Sequence, residues 1–157
     1  MRMFLAMLAE YAKKRCARKR ISERSFTMNH TMEIKLYYED TDCGGVVYYA
    51  NYLRYMERGR TEYLADYGYS VKKLMDEGTL FMVARAEIDY RAPARYGDTL
   101  VLETGIAECS RAIMMFEHRI KEKMSGRTVV EGKIKLVCTD ASGRPKRMPR
   151  EFAEKVK

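Results

Sequence analysis

Residues 37–64 read "YYEDTDCGGVVYYANYLRYMERGRTEYL", with the carboxylates Glu39, Asp40 and Asp42 inside four positions, then Gly44-Gly45, then an aromatic-rich run of helical period. An acid placed just ahead of a helix has a particular neighbour. The first turn of a helix exposes backbone N–H groups that have no intrahelical acceptor and hold positive partial charge. A carbonyl oxygen seated on such groups is polarised, and negative charge developing on it is stabilised, as in an oxyanion hole. A carboxylate on the opposite side, Asp42 here, can attack the carbonyl carbon or activate a water toward it. Acyl transfer fits this arrangement. The same acids would also complement the helix dipole or shape a turn, and spacing alone leaves both readings standing.

The elements that would position these groups follow from periodicity. Met32, Ile34, Leu36 and Tyr38 alternate with Glu33, Lys35, Tyr37 and Glu39, the pattern of a strand with one buried face. Asn51 is a plausible N-cap for a helix that stops at Gly68. At 100° per residue, Tyr52, Leu53, Met56, Gly59, Tyr63, Leu64 and Tyr67 share its apolar side, and Arg54, Arg58, Thr61, Glu62 and Ala65 the other. Glu57 and Arg60 fall within the apolar side, where an unpaired charge is costly, so they are expected to pair one turn apart. Residues 70–78 read as a short helix or turn. Beyond Thr79 the chain alternates as strands: Leu80, Met82, Ala84, Ala86, Ile88 and Tyr90 on one face, with Phe81 and Val83 among charges on the other. Strands follow over residues 99–109, over the stretch with Ala112, Met114, Phe116, His118 and Ile120 on one face, and over residues 128–139, with a short helical tail around Phe152. This order predicts an α+β fold, an antiparallel sheet of about five strands packed on one long central helix. A dimer joining edge strands would protect the exposed sheet edges.

The chain has 157 residues, 46% apolar or aromatic and 33% charged, which suits one folded domain. Its net charge of +8 is uneven: residues 1–31 hold eight Lys/Arg against two acids, leaving +2 for the remainder. Residues 1–31 are therefore read as a basic leader, either disordered, membrane-surface binding, a secretory signal with a minimal apolar stretch, or the product of an incorrect start with Met28 or Met32 as the true beginning. The domain is placed at residues 32–157. No nucleic-acid partner is expected from a nearly neutral body. The apolar run at residues 3–9 is too short to span a bilayer. Cys16, Cys43, Cys109 and Cys138 form no Cys-x-x-Cys pair and only His30 and His118 are present, so the expectation is a reduced, cytoplasmic protein with no metal. His118 reads as a core residue, and Cys43 as a packing residue without a nearby histidine base.

The segment "YYEDTDCGGVVYYANYLRYMERGRTEYL", with "IDYRAPARYGDTL" further on, resembles the hotdog-fold acyl-CoA thioesterases of the 4-hydroxybenzoyl-CoA thioesterase-like group, in particular its Tol–Pal-associated branch. The resemblance covers about residues 32–152. It implies a hotdog fold, in which the sheet wraps around the central helix, and hydrolysis of a thioester to a free acid and CoA. By position it assigns Asp42 as the catalytic carboxylate, acting as base or nucleophile. It assigns the backbone N–H of Tyr49 as the donor to the thioester oxygen, and names as secondary site candidates Val47, Tyr48 and Glu57, the last as an alternative catalytic carboxylate on the helix. Tyr49 stands where the Tol–Pal-associated branch usually has histidine and the aromatic-CoA enzymes have tyrosine. The resemblance further implies no cofactor, a homodimer or homotetramer with sites at subunit interfaces, and association with a membrane periphery or the Tol–Pal system. Arg85, Arg91, Arg95, Arg111 and Arg119 are candidates for the CoA phosphates, foremost Arg85, Arg91 and Arg111. The alternatives are a thioesterase for acyl carrier protein, a hotdog dehydratase, and a non-catalytic acyl-binding module.

Overall fold

Alternating apolar residues with a period of two build the sheet, and a single amphipathic stretch builds the helix that lies on it. The computed structural model describes residues 29–156, so the expectations for the basic leader fall almost wholly outside the described residues. Strand β1 (His30–Lys35) is followed by a 3-10 turn (Tyr38–Asp40), helix α1 (Asn51–Asp66), helix α2 (Val71–Asp76), strands β2 (Leu80–Tyr90), β3 (Thr99–Cys109), β4 (Ile113–Glu122) and β5 (Thr128–Thr139), and helix α3 (Arg150–Lys155). All pairings are antiparallel in the order β1-β3-β4-β5-β2, leaving β1 and β2 as the edges. The sheet is five-stranded, and β1 begins two residues earlier than the sequence pattern indicates.

Helix α1 packs mainly on β3 and β1. Its Tyr55, Met56 and Tyr63 meet Leu100, Leu102, Met114, Phe116 and Ile134 in a continuous core. The approach is close at Gly59, where a Cβ would lie 2.6 Å from both Leu102 Cδ2 and Thr104 Oγ1. The opposite sheet face is laced with ion pairs, among them Lys121–Glu103, Lys133–Glu117 and Arg119–Glu131.

Three local expectations change. Asn51 is not the N-cap: Ala50 takes that place without a side-chain cap, and Asn51 starts the helix with its side-chain amide donating to the Asp40 carbonyl at 3.0 Å. Leu53 is 40% exposed, while Tyr55 is buried in its stead, because the tyrosine is drawn toward Asp40. In β2 the register shifts between Val83 and Arg85. Phe81 therefore opposes Cys138 and Val83 opposes Leu136, on the helix side of the sheet, and Ala86 and Ile88 continue that face after the bulge. Phe81 and Val83 do not share the charged face. The helix ends as expected before Gly68, whose φ of 79° and N–H bond to Ala65 suit a C-terminal glycine.

Candidate active site

The loop between the 3-10 turn and α1 is a tight hairpin. Thr41 bridges to Val47, Asp42 N–H donates to Val46 at 2.9 Å, and Gly45 N–H donates to Asp42 at 2.9 Å. Gly45 sits at φ 70°, a conformation that glycine adopts without strain. The Asp42 side chain is exposed. Its Oδ1 accepts the Gly44 N–H at 2.8 Å; Oδ2 has no hydrogen-bond donor among the described residues, so one oxygen is oriented and the other is available. The neighbouring carboxylate behaves differently. Asp40 is half-buried, with Oδ2 accepting Tyr37 N–H at 2.8 Å and Oδ1 accepting the Tyr55 hydroxyl at 2.8 Å.

The second half of the site is the start of α1. Tyr48 N–H donates to the Asp40 carbonyl at 2.8 Å and Asn51 N–H to the Tyr48 carbonyl at 2.9 Å, while among the described residues the amides of Tyr49 and Ala50 reach no backbone carbonyl. Free N–H groups at this point are the donors that a helix start offers to an anion. The Tyr49 carbonyl is fixed by the Tyr90 hydroxyl at 3.1 Å. Val47 is buried and hydrogen-bonds Ala94 at 2.9 Å, so it anchors the loop rather than facing a ligand. The rings of Tyr48 and Tyr49 lie 4.6 Å apart and are both exposed. The Tyr48 hydroxyl titrates above its ordinary value, first through hydrogen bonding and charge coupling to Tyr49, then burial, and last the negative charge of Asp42. Asp42 thus stands close enough to Tyr48 to act on it electrostatically.

The other candidates sort clearly. Glu57 is exposed and accepts from Thr61 Oγ1 at 3.0 Å. No ion pair joins Glu57 to Arg60 among the described residues, which corrects the expected pairing. Arg60 is half-buried, and burial lowers its pKa against the weaker pull of Glu57. Of the arginines, Arg85 is held by Glu87 at 2.7 Å, Arg91 by Glu131 at 3.0 Å and Asp89 at 3.4 Å, and Arg119 by Glu131 at 3.4 Å. Arg95 reaches the Gly45 carbonyl at 3.3 Å and braces the hairpin. Arg111 alone of the five makes no ion pair or side-chain hydrogen bond among the described residues. Its carbonyl accepts Met148 N–H at 2.8 Å, which brings the exposed Arg147 and Arg150 to the same end of the sheet.

His118 is a core residue: 2% exposed, with Nδ1 3.1 Å from Thr104 Oγ1, and lowered to a pKa of about 3 by burial and then by the charge of Arg60. The one His–carboxylate pair among the described residues, His30 with Asp66 at 2.5 Å, sits at the far end of α1 from the Asp42 loop, about 22 Å away at 1.5 Å per residue. A dehydratase-type pair is therefore not assembled at the site. Cys43 is exposed beside Asp42 with no histidine against it. The residues that sequence reasoning passed over are Asp40, Tyr55 and Tyr90. Asn51 and Tyr55, spaced i and i+4 with polar tips at the start of the helix, were the available signal for the first two.

The sequence model of the "Thioesterase-like superfamily" matches residues 37–156. The chain is 38% identical over 125 residues to a Haemophilus influenzae protein named acyl-CoA thioesterase YbgC, covering 79% of this chain and 88% of that protein. It is 35% identical over 134 residues to an Escherichia coli protein named acyl-CoA thioester hydrolase YbgC, covering 83% and 99%. Among solved structures, a mutant 4-hydroxybenzoyl CoA thioesterase complexed with 4-hydroxybenzoyl CoA superposes with a TM-score of 0.75 at 21% identity, covering 82% of this chain and 98% of that one. A Thermus thermophilus thioesterase complexed with coenzyme A and Zn superposes with a TM-score of 0.69 at 27% identity, covering 80% and 90%. From its five-stranded antiparallel sheet, its central helix and the match across residues 37–156, the chain has the hotdog fold and belongs to the Thioesterase-like superfamily.

Proposed function

We propose that the protein hydrolyses acyl-CoA thioesters to a free acid and CoA, with Asp42 as the reacting carboxylate and the Tyr49 N–H as the electrophilic donor. The observation that carries this reading is the pairing of a half-satisfied carboxylate at Asp42 with unclaimed amides at the start of α1, joined by one short hairpin. The names of the relatives support acyl-CoA as the substrate class. The thioester oxygen sits on the Tyr49 amide, which stabilises the charge that develops there. Asp42 Oδ2 either takes a proton from a water that attacks the carbonyl carbon, or bonds to that carbon directly and forms an anhydride that water then opens. In both routes the carbon–sulfur bond breaks, sulfur leaves with CoA, and water supplies the oxygen of the acid.

The exposure of Asp42 in a single chain suits a site completed by a second copy. Strand β2 is an 11-residue edge whose helix-side face is only partly covered: Phe81 and Ile88 pack against the core, while Val83 is 57% and Tyr90 50% exposed. A homodimer joined along β2 would cover this face and wall the site. Arg111, with Arg147 and Arg150, lies at the far end of the 11-residue strand β3 from the Asp42 hairpin of its own chain, so these arginines would supply cations for the CoA phosphates at the site of the second copy.

The test is Asp42→Asn, assayed by free-thiol release over short aliphatic, long aliphatic and aromatic acyl-CoAs. Turnover is expected to fall by at least about 100-fold on the substrates that the wild type uses, with the circular dichroism spectrum unchanged. Retained turnover in this variant would refute the role of Asp42.

A further inference from the structure

Asp40 joins the two halves of the site, and no role assigned so far uses it. Its carbonyl accepts from Tyr48 N–H at 2.8 Å and from Asn51 Nδ2 at 3.0 Å. Its carboxylate accepts from Tyr37 N–H and from the Tyr55 hydroxyl, both at 2.8 Å. Asp40 lies two residues before the Asp42 carboxylate, and Tyr48, which it holds, lies one residue before the Tyr49 amide. Among the described residues, every hydrogen bond from residues 38–42 to helix α1 converges on Asp40. The remaining ties of this segment, Val47 to Ala94, Arg95 to Gly45 and the Tyr90 hydroxyl to the Tyr49 carbonyl, run to β2 and the residues after it instead, and none of them reaches the Asp42 side of the loop from helix α1.

We infer that Asp40 and Tyr55 are positioning residues that fix the separation between the Asp42 carboxylate and the Tyr49 amide, an inference that rests on the functional reading of those two groups given above. The physical basis is the strength of a hydroxyl-to-carboxylate bond, roughly twice that of a neutral one. The Tyr55 hydroxyl is pushed well above its ordinary pKa by burial first and by Asp40 second, so it remains a donor throughout the neutral range. The contact opens onto a crevice of about 150 Å³ lined by Glu39, Asp40, Asn51, Arg54, Tyr55 and Arg58. Water can enter where the hydroxyl is removed, so Tyr55→Phe leaves no dry void and is expected to fold.

The experiment compares Tyr55→Phe, Asp40→Ala, Asp40→Asn and the Asp40→Ala/Tyr55→Phe double variant in the full chain, by kcat and KM and by amide hydrogen exchange. Tyr55→Phe and Asp40→Ala are expected to lower kcat roughly 10- to 100-fold with KM within about twofold, the cost of a misplaced reacting group. Exchange should quicken over residues 41–50 and stay unchanged in β3 to β5. The double variant should be no worse than Asp40→Ala, because that variant has already lost the bond that Tyr55→Phe removes, together with the acceptor of Tyr37 N–H. Asp40→Asn keeps an oxygen for Tyr37 N–H and an amide that the Tyr55 oxygen can accept, so it should stay within about fivefold of wild type. Full kcat and unchanged exchange in Tyr55→Phe would overturn the inference. So would an Asp40→Asn variant as inactive as Asp42→Asn, since Asp40 would then itself be a reacting carboxylate. The functional reading is tested separately by Asp42→Asn, and the exchange measurement requires no turnover, so the two failures are distinguishable.

Discussion

Two aspartates separated by one threonine have unlike surroundings. Asp40 spends both oxygens on Tyr37 and Tyr55, whereas Asp42 spends one on Gly44 and keeps the other. The arginines divide on the same principle: a guanidinium already held by a carboxylate is poorly placed to take a phosphate as well. Arg111→Ala is therefore expected to raise KM for acyl-CoA roughly tenfold, the loss of one charge-assisted contact, with kcat little changed. Steady-state kinetics would show it, and an unchanged KM would move the phosphate site elsewhere. His118 gives a prediction about stability. Its pKa is about 3 in the fold against an ordinary 6.5, so below pH 6.5 the unfolded chain takes up a proton that the folded chain refuses. Stability is fully present above that pH and falls as pH drops toward 3. Between pH 7 and pH 5 the wild type should lose about 2 kcal/mol more than His118→Gln does. Urea unfolding at the two pH values would measure it, and parallel losses would contradict the assignment.

At the scale of elements, the contact between α1 and β3 decides whether the start of the helix meets the Asp42 loop. Gly59 makes that contact possible. Leu102 and Thr104, which a Cβ would strike, are fully buried, and Thr104 also holds His118. Gly59→Ala is expected to destabilise by roughly 1 kcal/mol or more, because overpacking a rigid core outweighs the gain in helix propensity of about 1 kcal/mol. Chemical denaturation would test this, and a stabilised variant would mean that the helix can lift without cost. The bulge in β2 acts at the same scale. By inserting one residue between Val83 and Arg85 it turns Val83 to the same side as Ala86 and Ile88, so the edge strand presents a continuous apolar face toward the helix side.

For the whole molecule, the open edge at β2 is the surface that bears on assembly. An unpaired edge with exposed Val83 and Tyr90 invites another strand, and pairing β2 with its copy would extend two five-stranded sheets into one. Val83 is 57% exposed in the single chain, so Val83→Glu should leave the monomer folded while placing buried like charges at the proposed interface. Light scattering is expected to give twice 18.4 kDa, or a multiple of it, for the wild type and 18.4 kDa for the variant, with thiol release lost alongside. A wild type at 18.4 kDa would show that the site works, if at all, within one chain.

The α+β plan, the single long helix and the strands β3 to β5 were legible in the sequence, because each buries one face and the periods of two and 3.6 record which residues do so. The acidic hairpin before the helix was legible too, since its glycines and carboxylates are close in sequence. The bulge was not: one inserted residue changes every later side chain from one face to the other while leaving composition and alternation intact. Nor was the division of labour between Asp40 and Asp42, which depends on Tyr55 reaching back fifteen residues across a fold. The order of residues determined the architecture and brought the candidate groups to one hairpin. Only the tertiary contacts, which set how many hydrogen bonds each oxygen already makes, decided which of those groups is left free.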